Sequence, residues 1–234
     1  MLHSLASAPR RGSPPPEAPS EERGRTALGS PDPAGLDDTT LLAALLRGRV
    51  GRPAEVAEAL LDRFGALGDV FWANRTDLAR LDLAGGDLVV DLAVLRELAV
   101  RFARAAVSAR PVLGSSSALQ AYARAAMAHR PREQFRVLFL DHRNRLLADE
   151  MTAEGTVDHA PVYPREVMRR ALEVSASALI LIHNHPSGDP SPSQADIEMT
   201  RRVIDAARAL GLSVHDHLVV GREGTASFRA LGLM

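Results

Sequence analysis

Three side chains with metal-binding chemistry fall close together late in this chain: His183 and His185, two residues apart, and Asp196, eleven residues further on. Two imidazoles and one carboxylate are the usual protein complement of a catalytic zinc, which keeps a fourth position for water. The neighbouring residues provide the means to hold them. Ala178 to Ile182 is a short apolar run with β-branched members, stopped by Pro186, Ser187 and Gly188, and reads as a buried strand that delivers its last residues to a loop. Residues two apart on a strand point to the same side, which pairs the two imidazoles. After the loop, Ser193 stands as a helix N-cap with Asp196 three positions on, the spacing of a capping box. Ile197, Val203, Ile204, Ala207 and Leu210 then form an apolar stripe up to Gly211. Pro186 ends the strand because it lacks a ladder N–H, and Pro190 and Pro192 stiffen the connection that brings Asp196 back to the histidines.

Each of these residues has a plainer use. A histidine pair on a strand is commonly a surface pair or a satisfied core pair, and an aspartate in a first helical turn is favourable against the helix dipole. The joint pattern is far more restrictive: His-x-His, seven residues, Ser, two residues, Asp. On that pattern the chain resembles the JAMM metallopeptidases, also called MPN-plus or JAB, and within them the bacterial RadC-like proteins. The resemblance implies that His183, His185 and Asp196 bind Zn2+ and that Ser193 helps to hold the oxyanion. It further implies an upstream glutamate that polarises the zinc-bound water. The matching stretch is Leu146-Leu147-Ala148-Asp149-Glu150, which places this role on Glu150, with Glu154 as the alternative; Asp149 would face the other way on a strand. The implied reaction is hydrolysis of a peptide or isopeptide bond, with Glu150 moving a proton from the water to the leaving amine.

Local signals outline the elements that must carry this site. Ser115, Ser116 and Ser117 cap a helix bearing Leu119, Tyr122, Ala123, Ala126 and Met127 inward. Gln134 to Leu140 is a strand, with Asp141 to Asn144 as a turn and Arg145 to Glu150 as its hairpin partner. Pro164 opens a helix with Val167, Met168, Ala171 and Leu172 inward, and its end hands the chain to the histidine strand. Ser213 to Val220 is a further strand and contains a second His-x-His, His215 and His217. No carboxylate on a following helix accompanies this pair, so Asp216 or His217 is expected to support the first site or to make a sheet-edge hydrogen bond. His142 and His159 read as solvent-facing loop residues.

Upstream the pattern is helical. Asp37 to Thr39 caps a helix through Leu46, Pro53 opens a second, another lies near Thr76 to Ala79, and a long one spans about Asp87 to Val107 with Leu92, Leu95, Leu98, Ala99 and Phe102 inward. In RadC-like proteins this part resembles a helix-hairpin-helix module, whose glycine turn would offer N–H groups to a DNA phosphate. Here that turn would be Leu83 to Asp87, where Asp87 is repulsive to phosphate, so a packing module is the preferred reading. The expected fold is α+β: a small helical, helix-hairpin-helix-like domain at 37–110, then a JAMM/MPN α/β domain at 111–234 with a mixed sheet flanked by helices. Residues 1–36, rich in Pro, Ser, Gly and Arg, read as a disordered tail.

Composition bounds the function. The chain has 234 residues, 46% of them hydrophobic, enough for a sizeable core. It contains no cysteine, which excludes disulfides, zinc ribbons, cysteine nucleophiles and the zinc deaminases, and suits a reducing cytoplasm. Its 28 basic residues are all arginine and are balanced by 29 acidic ones, so no overall basic character marks a nucleic-acid binder. No run is long enough to span a bilayer, and no signal-peptide core opens the chain. The expectation is a cytoplasmic metallohydrolase acting on a peptide or protein. The alternatives are a non-catalytic scaffold with the same fold, a DNA-repair-associated factor, and a nuclease suggested by the letters His183-Asn184-His185.

Overall fold

In the computed structural model, residues 33–80, 86–108, 111–112, 116–155 and 162–234 are described. Most of the tail expected at 1–36 therefore lies outside the described residues; its end carries a single 3-10 turn at Pro33–Gly35. Four short helices follow: α1 Asp38–Leu46, α2 Pro53–Phe64, α3 Leu67–Trp72 and α4 Arg75–Ala79. Their ends follow from local chemistry. The Asp37 carboxylate accepts from the Thr40 N–H at 2.7 Å, and Pro53 occupies the first turn of α2, where a missing N–H costs nothing. Gly65 stops α2 with φ at +94°, a conformation that favours glycine.

The long helix α5, Gly86–Ser108, spans about 34 Å at 1.5 Å per residue and serves two cores in turn. Leu88 and Leu92 in its first half are buried with Leu42, Leu46, Leu60 and Val70 of the helical cluster. In its second half Val107 is buried, with Val100 and Ala103 packed beside it, in the core of the following sheet. Leu98 and Phe102, expected inward with Leu92, are instead 44% and 75% exposed, and Ala99 is exposed too. The reason is geometric: two residues on from Val100 is about 200° around the helix, so a stripe that shifts to Val100, Ala103 and Val107 turns Phe102 to water. Of the turn expected at Leu83–Asp87, residues 83–85 lie outside the described residues, and Gly86 and Asp87 open α5.

The rest of the chain builds one mixed five-stranded sheet. Helix α6, Ser116–Met127, leads into β1 Gln134–Leu140 and β2 Leu146–Glu154, then α7 Pro164–Glu173, β3 Ala178–Asn184, α8 Gln194–Ala209, β4 Ser213–Val220 and β5 Thr225–Ser227. The strand order is β2-β1-β3-β4-β5. β1 pairs antiparallel with β2 and β3, β3 and β4 run parallel, and β5 closes antiparallel on β4. A parallel pair needs a crossover, and α8 is that crossover.

Strand alternation divides the core. Leu138, Leu140, Ile180, Ile182, Leu218 and Val220 face α6, where Leu119, Tyr122, Ala123, Ala126 and Met127 are all buried as the sequence indicated. Phe135, Val137, Phe139, Leu179 and Leu181 face α7 and α8, against Val167, Met168, Ala171, Val203 and Ala207. Strand β3 is buried over its whole length, which matches its continuous apolar run. Three expectations fail at the margins. Leu172 and Leu210 are 56% and 46% exposed; Leu172 lies in the last turn of α7 and Leu210 is the C-cap just beyond the end of α8. β2 runs to Glu154, past the expected end at Glu150, since β1 pairs with it as far as Gln134.

Candidate metal centre

Register places the chemistry. His183, the sixth residue of β3, aligns with Phe135 of β1, so its ring lies on the face covered by α7 and α8. His185 follows at the strand exit, its N–H donating to Val220 O at 2.9 Å. The loop after it is strapped to the end of β4: the Gly188 N–H donates to His185 O at 3.0 Å and the Glu223 N–H to Gly188 O at 3.1 Å. This strap depends on Gly221, where a Cβ would stand 1.9 Å from Gly188 O. Asp196 enters from α8, whose first turn is closed by the expected capping box. The Ser193 hydroxyl accepts from the Asp196 N–H at 3.2 Å, and the Ser193 N–H donates to Asp196 Oδ2 at 2.7 Å.

The three groups converge. His183 Nε2 and His185 Nε2 are 3.0 Å apart; Asp196 Oδ1 is 3.3 Å from the first and Oδ2 is 3.4 Å from the second. Taking one ligand atom from each residue, all three lie within 4.8 Å of one another, near the roughly 3.3 Å that separates the ligand atoms of a tetrahedral zinc with bonds of ~2.0–2.1 Å. His183 is 1% exposed, whereas His185 and Asp196 keep partial access to solvent.

Proton placement sets what the three groups can do chemically. Asp196 O is a carbonyl and only accepts, so the Thr200 hydroxyl donates to it at 2.6 Å. Thr200 Oγ1 then accepts from His217 Nδ1–H at 2.6 Å, which leaves His217 Nε2 an acceptor, and His183 Nδ1–H donates to it at 2.8 Å. His185 Nδ1–H donates to the Asp189 carbonyl at 2.9 Å. Both metal-facing Nε2 atoms are thus left with lone pairs, aimed at one another and at a carboxylate. Such a set is repulsive without positive charge between its members. The His185 pKa responds accordingly: the hydrogen bond to Asp196 raises it, against the opposing effect of burial. Burial alone would raise the Asp196 pKa, but the facing His183 and His185 rings, whenever they take up a proton, and the Ser193 hydroxyl outweigh it and hold the carboxyl far below the usual range. Burial keeps His217, fully enclosed, neutral with its pKa well below the ordinary value. Phe228 stacks on the His217 ring at 4.5 Å and Phe135 meets it edge-on at 5.5 Å, shutting water out of the relay.

The second His-x-His does not form a metal pair. β4 carries a register irregularity: Val214 aligns with Leu179 and Asp216 with Ile180, so His215 is the extra residue of a bulge. The bulge turns His217 onto the His183 face, while His215 bonds Asn144 Oδ1 at 2.7 Å. Asp216 accepts from Ser227 Oγ at 2.6 Å and anchors β5. His142 is exposed as expected, and His159 lies outside the described residues. Thr200 was not singled out by the sequence; its signal is the four-residue spacing from Asp196, which puts both on one face of α8.

Glu150 and Ser193 stand differently. Glu150 aligns with Val137, which aligns with Leu181, so it shares the sheet face of His183 but sits one row away and two strands across. With strands ~4.8 Å apart and ~3.3 Å per residue, the Cα atoms of Glu150 and His183 are roughly 12 Å apart. The Glu150 carboxylate is gripped by Arg170 of α7, with Nε to Oε2 at 2.8 Å and Nη2 to Oε1 at 2.6 Å. These hydrogen bonds lower its pKa. Among the described residues no glutamate joins the His183, His185 and Asp196 cluster. Glu154 aligns with Gln134, one position before Phe135, and so belongs to the opposite face of the sheet. The Ser193 hydroxyl donates to Asp196 Oδ2 at 2.6 Å. Asp149 faces away from Glu150, fully buried, where Tyr122 and Arg136 bond it.

A mixed sheet whose central strand ends in His-x-His, with the next helix returning a carboxylate in its first turn, defines a JAB-type metallohydrolase fold. Residues 113–233 match the family described as the RadC-like JAB domain. A "UPF0758 protein" of Rhodobacter capsulatus is 58% identical over 179 residues, 76% of this chain and 84% of that one. The chain belongs to the RadC-like JAB family.

Proposed function

We propose that this protein is a zinc-dependent hydrolase that cleaves a peptide or isopeptide bond of a protein substrate. The observation that carries the reading is the convergence of His183 Nε2, His185 Nε2 and the Asp196 carboxylate, with every donor hydrogen locked on the far side of the rings. Zinc held by these three residues would supply a Lewis acid and an acidified water at its open position. The protein's own part is then to move protons and hold charge. Glu150 takes the proton of the attacking water and returns it to the leaving amine, work usually worth ~10²–10⁴-fold. It does so after exchanging its Arg170 contact for the water, on the sheet face it shares with His183. Ser193 turns its hydroxyl from Asp196 to the oxyanion, while its backbone stays in the cap.

Metal analysis and a substrate panel test this together. About one zinc per chain in the wild type, lost in the His183→Ala/His185→Ala double variant, is the expected result. Peptidase activity should vanish in Glu150→Gln with the metal retained. Absence of metal after metal-replete purification would overturn the reading.

The Arg170 grip on Glu150 supports a second reading, in which the centre binds zinc and the domain serves as a non-catalytic scaffold. Under it, Glu150→Gln leaves every cellular or biochemical readout unchanged, whereas loss of the metal does not. No helix among the described residues is long and apolar enough to cross a membrane. Together with the absence of cysteine, this supports action in the cytoplasm. Residues 37–110 act as a packing module for the hydrolase domain at 111–234, and DNA is the weaker candidate among partners.

A further inference from the structure

On the side of the sheet away from His183, a half-enclosed cavity of about 400 Å³ opens between α3, α5, α6 and β1. Its wall holds Arg96, Arg101, Arg104, Arg130, Arg136 and Trp72. The nearby carboxylates do not neutralise these five guanidinium groups. Asp149 is shared by Arg136 at 2.9 Å and Arg104 at 3.6 Å, and Glu97 holds Arg101 at 2.8 Å. Arg96 and Arg130 have no ion-pair partner among the described residues; their guanidinium carbons lie 4.5 and 4.4 Å from the centroid of the Trp72 ring. Burial disfavours the charge on Arg130, and Arg136 and Arg96 add repulsion against the weaker attraction of Glu154 and Glu97, yet a guanidinium stays protonated in a protein. The cleft therefore gathers five guanidinium groups against the carboxylates of Asp149, Glu97 and Glu154, and its positive charge is only partly balanced.

A hollow of about 240 Å³ adjoins it, lined by Phe71, Ala99, Ala125 and Ala128, with Trp72 and Arg96 common to both. Planar guanidinium groups pair in bidentate fashion with phosphate oxygens, and the Phe71 ring with its small apolar neighbours accepts a flat ring. We propose that this cleft binds phosphoryl groups, with the arginines on the phosphate oxygens and the adjoining hollow open to the base of a nucleotide. The shared chemistry is that of a diphosphate-sized oxyanion, from a free nucleotide or from a nucleic-acid backbone. The site is independent of the metal centre, which lies on the other face of the sheet.

Trp72 is the single tryptophan of the chain, so its emission reports on the cleft alone. The experiment titrates the full-length protein with inorganic pyrophosphate, ADP and a short DNA duplex at constant ionic strength, with sodium chloride as the reference. A saturable change in emission is expected. Arg96→Ala and Arg130→Ala should each weaken binding roughly ten-fold or more, as befits loss of a charged hydrogen-bonding group. Arg165→Ala, 84% exposed on α7, should leave it unaltered. Tighter binding of ADP than of pyrophosphate assigns a nucleotide; tighter binding of the duplex, with displacement of pyrophosphate, assigns a nucleic-acid backbone. The proposal is overturned if no ligand changes the emission beyond the chloride reference, or if Arg165→Ala weakens binding as much as Arg96→Ala. Thermal unfolding and circular dichroism of each variant separate loss of the site from loss of the fold. Calorimetric titration of the wild type needs no variant: saturable heat with pyrophosphate or ADP supports the cleft, and none with any of the three ligands overturns it.

Discussion

Replacing Thr200 by valine removes one oxygen from the relay and keeps the side-chain shape. His217 is wholly buried, and its Nδ1–H would lose its acceptor with no water to replace it. An orphaned buried donor costs about 1–3 kcal/mol, and in a chain of this size each kcal/mol lowers Tm by about 2–4 °C. His217 can relieve part of that cost by moving its proton to Nε2. It would then donate to His183 Nδ1, and the proton of His183 would be forced onto Nε2, the atom facing the metal site. Zinc affinity should fall with it, by the roughly 10–100-fold usual for groups that orient a ligand. Competition against a chromogenic chelator measures the affinity, and thermal unfolding with and without EDTA separates it from stability. Thr200→Ser, which restores the hydroxyl, should recover most of both. If Thr200→Val holds zinc as tightly as the wild type, the proton relay that starts at the Asp196 carbonyl is refuted.

Other perturbations follow from the same geometry. Gly221→Ala puts a Cβ against Gly188 O, so the loop after His185 must move by about 1 Å or more to reach ordinary contact; overpacking of this kind costs ~1–3 kcal/mol and should weaken zinc binding without touching a ligand. Asp149→Asn strips the charge that Arg136 and Arg104 share in a fully buried position, and should cost ~3–5 kcal/mol by urea unfolding, since it leaves Arg136 uncompensated. Arg170→Met tests the Glu150 contact through pH. The Glu150 carboxyl is held below its ordinary value, so its contribution to stability is present above about pH 4.5 and is lost as the pH falls through the folded-state pKa. The Glu150 side chain is about one-third exposed, so solvent screening keeps this contribution below ~1 kcal/mol; the acid limb of the stability curve should flatten slightly in Arg170→Met and stay steep in Arg165→Met.

Much of the centre was legible in the sequence because its parts are local. Strand alternation pairs His183 with His185, and a capping box fixes Asp196 to Ser193; both follow from spacing alone, and both recur in the structure. The helices of the sheet layer are legible for the same reason, since Leu119, Tyr122, Ala123, Ala126 and Met127 repeat on one face and bury on one surface. Local pattern does not say which surface a long helix meets. α5 changes partner halfway, and that exchange, invisible in its periodicity, is what exposes Leu98 and Phe102.

The sequence by itself determined which imidazoles and carboxylate come together and which elements hold them, because strand and helix periods act over a few residues. The tertiary structure decided everything that depends on register between strands or on distant side chains. A single bulge in β4 turned His217 toward His183, and pairing across β1 set Glu150 against Arg170. Packing of α5 and α6 beside the sheet gathered five arginines from distant segments around one tryptophan. Register and packing are non-local, because they are fixed by which surfaces bury one another, and no window of sequence contains both sides of such a contact.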